Sequence, residues 1–108
     1  MKVLSIITLL AIAVPNVSAK NCRGDLWYCG HTLQDIASDN NYDKQIREAL
    51  RAAGQPTDTL HMKQSLFRCM SSVDGDVRFL EFCECGCADE GWDRYDECYS
   101  CFHERNGL

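Results

Sequence analysis

Positive charge, long apolar runs and proline are what this sequence has least of. Its 11 Lys and Arg stand against 16 Asp and Glu, a formal net charge of −5, and neither sign is gathered into a stripe. Binding to a phosphate backbone or to an anionic bilayer needs clustered cations, so neither nucleic acid nor membrane is an expected partner. A spanning helix needs roughly 18 or more apolar residues, and no such run follows the first 14 residues. The two prolines, Pro15 and Pro56, mark no linker, and no internal repeat or low-complexity tract divides the chain. Gly-x-Ser-x-Gly and His-Glu-x-x-His are also missing, so no catalytic residue is assigned and an enzyme is not expected.

What the chain does have begins at its N-terminus. Residues 1–19 carry one charge, Lys2, an apolar stretch from Val3 to Val14, then Pro15 and the small-residue ending Val17-Ser18-Ala19. That is the pattern of a secretory signal peptide cleaved after Ala19, leaving a single domain over residues 20–108. This mature part keeps all 16 acidic residues against 10 of the 11 basic ones, a formal balance of −6. A soluble, secreted, extracellular monomer is expected. The sequon Asn16-Val17-Ser18 falls inside the leader.

Eight cysteines in so short a secreted chain read as a disulfide framework: Cys22, Cys29, Cys69, Cys83, Cys85, Cys87, Cys98 and Cys101. Five of them lie in Phe82–Cys101, and 105 pairings are open to the eight. A zinc or copper site would be the alternative use of Cys98-x-x-Cys101-x-His103 with Cys83-x-Cys85-x-Cys87. The oxidising export route favours disulfides, with no metal and no cofactor.

Periodicity supplies the elements. Leu26–Tyr28 suits a short strand between Cys22 and Cys29. Thr32 would cap a short helix carrying Leu33, Ile36 and Ala37. A better helix, Tyr42–Ala53, capped by Asn40 or Asn41, aligns Tyr42, Ile46, Ala49, Leu50 and Ala53 on one apolar face, and Gly54 stops it. Leu60–Met70 and Val77–Cys83 read as two strands joined through Asp74-Gly75, the second an inner strand, and Tyr95–Cys101 as loop or one short strand. The fold class is α+β: a small disulfide-stapled domain, an antiparallel sheet of three to four strands with one or two helices packed on it.

Several side chains invite a chemical reading. His31, His61 and His103 could serve acid–base chemistry beside Glu81 or Glu84, though no motif sets a histidine beside a nucleophile. Arg23-Gly24-Asp25 matches a tripeptide read by animal integrins, at a length where chance suffices. The acidic run Asp89–Glu97 does not follow calcium-loop spacing. Trp92, Tyr95 and Tyr99 are the proposed contact residues, because aromatics on a cross-linked loop can meet a protein or a sugar with little left to order.

The succession Leu26-Trp27-Tyr28-Cys29-Gly30, Thr32-Leu33, Ala49–Gly54, Ser65-Leu66-Phe67-Arg68-Cys69, Phe79–Cys83 and Gly86-Cys87 resembles a group of small secreted cysteine-rich proteins of filamentous fungi, treated as candidate effectors in plant infection. The resemblance spans roughly residues 22–87. It implies a non-enzymatic effector or elicitor that binds a host-plant protein or a cell-wall glycan component and modulates immunity or cell death. The alternatives are an antimicrobial protein similar to killer toxins, which the acidic charge disfavours, and a small ribonuclease-like hydrolase.

Overall fold

The computed structural model describes residues 21–36 and 42–101. The expected leader, Ala37, the Asn40 or Asn41 cap and His103 lie outside the described residues. In chain order the elements are β1 (Trp27–Cys29), α1 (Gly30–Ile36), α2 (Asp43–Ala52), α3 (Thr59–Gln64), β2 (Ser65–Cys69), β3 (Val77–Phe82), β4 (Cys87–Ala88) and β5 (Glu97–Cys98). β1, β2 and β3 form an antiparallel sheet with β2 in the middle, and β4 and β5 form a separate two-stranded sheet. The α+β class stands, with three helices among the described residues in place of one or two.

The additional helix is the main correction. Leu60–Gln64, expected as strand, is α3, and the strand begins only at Ser65. Asp58 starts the helix by accepting the backbone N–H of His61 at 2.8 Å, the capping role that short acidic side chains fill well. The second correction concerns Val77–Cys83. β3 is an edge strand ending at Phe82, and β2 is the inner one, with four of its five residues buried. A bulge between Leu66 and Phe67 shifts the register from Leu66↔Glu81 to Phe67↔Phe79.

α2 follows its sequence pattern at most positions. Tyr42, Ile46, Ala49 and Leu50 are buried, while Ala53 is an exposed C-cap residue. Gly54 adopts a left-handed φ of +71°. There its N–H donates to Arg51 O at 3.0 Å, and that of Gln55 to Leu50 O at 2.9 Å. This closes the helix as glycine does in a Schellman turn.

One core gathers the apolar faces: Tyr28, Leu33, Tyr42, Ile46, Leu50, Met62 and Phe67, with the Cys22–Cys69 bridge among them. Full burial of side chains such as Phe67 and Leu50 contributes roughly 1.5–3 kcal/mol each. Tyr42 adds polar order inside this core. Its hydroxyl donates to Gly75 O at 2.6 Å and accepts the N–H of Cys22 at 3.3 Å, and desolvation pushes its phenol pKa up. The helices meet closely at Gly30, where an added Cβ would sit 1.6 Å from the Met62 carbonyl oxygen. Only glycine lets α1 start there.

Candidate functional site

All eight cysteines are bridged: Cys22–Cys69, Cys29–Cys87, Cys83–Cys98 and Cys85–Cys101. Three of the four bridges use the Phe82–Cys101 stretch, and they divide the sulfur ligands of the alternative metal reading among different partners. Glu81 comes within 3.0 Å of Cys98 Sγ, beside Cys83. Those two sulfurs are bonded to each other, so neither is the thiolate that zinc or copper would need.

The segment from Asp89 to Asp96 is tied back to the first sheet by one carboxylate. Asp96 is 1% exposed, accepting the N–H of Cys29 and that of Glu90, each at 2.9 Å. Its own N–H donates to Trp27 O at 3.1 Å. Charge-assisted bonds of this kind are the stronger ones in proteins, and here they fix a loop whose own strands are two residues long.

Two of the three proposed aromatics rise from this loop. Trp92 is 76% exposed and Tyr95 50%, yet each has a fixed neighbour from the far end of the sequence. The Arg23 guanidinium lies 5.1 Å from the Trp92 ring centre while its Nε meets Asp93 Oδ1 at 3.1 Å. Trp27 of β1 meets Tyr95 edge to face, ring centres 5.2 Å apart. Tyr99 belongs elsewhere: it is exposed, its N–H donates to Gly86 O, and its ring flanks Gly86. The site is therefore Trp92 and Tyr95 with Trp27 and Arg23, the last two absent from the expected set.

Behind Trp92 is a cavity of about 220 Å³, whose walls include Arg23, Tyr28, Thr32, Trp92, Arg94 and Asp96. Thr32 is the third residue of α1, not its cap, and its buried Oγ1 has no hydrogen-bond partner among the described residues. The Tyr28 hydroxyl accepts the N–H of Arg23 at 2.8 Å. Burial raises the Tyr28 pKa, and that bond from Arg23 offsets part of the rise.

The remaining sequence motifs are occupied locally. In Arg23-Gly24-Asp25 the arginine faces Asp93 and the aspartate pairs with Arg68 at 2.9 Å. His31 Nε2 is 2.9 Å from Cys87 O. His61 does meet a carboxylate, but it is Asp58, 2.8 Å from Nδ1, not Glu81 or Glu84. Its ring stacks on Phe82 at 4.1 Å, and its backbone and side-chain hydrogen bonds hold the Asp58 pKa below the ordinary value. In the acidic run, Asp89 accepts the N–H of Gly91 and Asp93 faces Arg23, so these carboxylates serve the loop itself.

Comparison with protein-family models, curated proteins and solved structures finds no match. Among the described residues, no helix is long and apolar enough to cross a membrane.

Proposed function

We propose that this protein is a secreted, non-enzymatic effector or elicitor of the fungal cysteine-rich kind. It binds a host-plant component, outside or inside the plant cell, and alters immunity or cell death. The observation that carries the reading is an aromatic pair, Trp92 and Tyr95, that is exposed and yet held in place by Arg23 and Trp27. Large aromatic groups dominate binding energy, and groups ordered beforehand lose little entropy on contact. Four disulfides suit an oxidising compartment. The hydrolase alternative has His61 and Asp58 to draw on, and Asp58 already serves as the cap of α3.

Infiltration of the folded protein into leaves of several hosts tests the reading, with reduced and alkylated protein as control. The folded protein should change cell death, immune signalling or infection, and the W92A/Y95A double variant should not. Activity equal in the double variant and the parent, or no response in any host, would refute it.

A further inference from the structure

The geometry points to the free edge of β3, with the groove beside it, as the docking site for an extended segment of a partner protein. That segment adds a fourth strand to the sheet and carries Lys or Arg at one end. The surface is at the opposite edge of the sheet from Trp27 and Tyr95, so the inference goes beyond the reading above and does not rest on it.

The two edges of the sheet differ. Along β1 the Cys29 N–H donates to Asp96 Oδ2 and Trp27 O accepts the Asp96 N–H, so the loop closes that edge. Along β3 no backbone group bonds outward among the described residues. Cys69 fixes which groups are open. Its C=O accepts the Asp25 N–H at 2.9 Å and its N–H donates to Leu26 O at 2.8 Å, both on the β1 side. Its partner Val77 therefore has no ladder bond to β2. By the alternation of an antiparallel pair, the N–H and C=O of Val77 and Phe79 point away from the sheet. An open edge is a template for another strand, and β3 has neither proline nor lysine along it.

Beside that edge is a groove of about 540 Å³ lined by Val77, Phe79, Ala49, Ala52 and Ala53. It continues along Gln45, Glu48, Ala49 and Ala52, which recur at i, i+3, i+4 and i+7 and so share one flank of α2. The small side chains of this flank leave room for the inward-pointing residues of a fourth strand. Alternate residues of an added strand point to one face, while its main chain bonds to Val77 and Phe79. In this mode the main chain supplies affinity and the groove supplies specificity.

Charge selects the occupant. Glu48 and Asp76 line the far end of the groove, both exposed and in no ion pair among the described residues. No Lys or Arg among the described residues lines that end, so a cationic side chain of the partner complements it. A second copy of this chain fits less well. Residues 20–108 hold 16 acidic residues against 10 basic ones, and a shared net charge opposes self-association.

The test pans the folded, fully bridged protein against a displayed library of random ten-residue peptides, then titrates the selected peptides in synthetic form. They should share apolar residues at alternate positions and a Lys or Arg toward one end, and give saturable amide shifts at Val77–Phe82 and Ala49–Ala53. Val77→Pro deletes an N–H that β2 does not use, so the fold should persist while peptide affinity falls about tenfold, the loss of one hydrogen bond. Ala52→Arg, at an exposed helix position, fills the groove, sets a cation beside Glu48 and should weaken binding further. No selected peptide, shifts confined to other surfaces, or equal affinity in the parent and A52R would overturn the inference. So would a parent that sediments as a dimer and becomes monomeric in V77P, because a second copy would then hold the edge. The W92A/Y95A leaf test concerns other residues, so either proposal can fail while the other stands.

Discussion

The two halves of this domain are held together by different forces. From Cys22 to Phe82 the chain builds a sheet, three helices and an apolar core, with one disulfide added to it. From Cys83 to Cys101 it builds two strands of two residues each, and the only buried residues are Cys83, Cys87, Ala88 and Asp96. Burial of carbon decides the first half, whereas the second is shaped by sulfur bridges and one carboxylate. A loop that owes its shape to cross-links can leave Trp92 and Tyr95 in solvent, since the core does not need them.

If that contrast is right, the largest effect should come from the bridge that joins the halves. Cys29–Cys87 closes a separation of 58 residues, for which loop-closure entropy gives about 4 kcal/mol. C29A/C87A should unfold far below the parent temperature in calorimetry. C85A/C101A, closing only 16 residues near the end, should lose less and keep the amide shifts of α2 and β2. Equal losses in both variants would remove the distinction.

Asp96→Ala comes next, because it frees the buried N–H of Cys29 and the part-buried N–H of Glu90, on opposite sides of the junction. Bonds to a charged acceptor contribute about 1.5–3 kcal/mol each. Amide exchange should quicken at Cys29 and Glu90 while α2 keeps its protection. Uniform loss of protection would mean that the halves unfold as one.

Tyr42→Phe probes the first half alone and should cost about 1–3 kcal/mol, since Gly75 O and the Cys22 N–H lose their partner inside the core. The raised pKa gives a matching pH signature. A phenol titrating higher when folded stabilises the fold below its ordinary pKa, near 10, and this contribution fades as pH rises through the raised value. Urea unfolding from neutral to alkaline pH should show the parent losing stability faster than Y42F.

How far each half could be read in advance follows the same division. The apolar stripe of α2 was legible because Tyr42, Ile46, Ala49 and Leu50 repeat with the helix and are buried by one surface. Leu60–Gln64 misled because five residues are too few to separate helix from strand by period. The usable signal was Asp58, a capping residue placed just before them. That β3 is an edge depends on β1 arriving from 36 residues upstream of Ser65–Cys69 to pair with β2, which local pattern does not carry.

In the second half, composition marked Trp92 and Tyr95 as exposed aromatics. Their fixed neighbours Arg23 and Trp27 are separated from them by most of the chain. Arg23 drew attention only through a chance-length tripeptide, and Trp27 only as a strand residue. The capping role expected of Thr32 needs its hydroxyl to accept a backbone N–H, whereas that oxygen has no partner among the described residues.

The bridges also overlap as intervals along the chain. Cys22–Cys69 overlaps Cys29–Cys87, which in turn overlaps Cys85–Cys101, so every peptide bond between residues 22 and 101 is spanned by at least one disulfide. A protease that cuts once in this range releases no fragment, and the pieces stay covalently joined. The longest interval spanned by a single bridge is from Cys69 to Cys83, covered by Cys29–Cys87 alone, and it contains Val73, 85% exposed. The same bridge that joins the two halves is thus what keeps a nick in that turn from dividing the molecule.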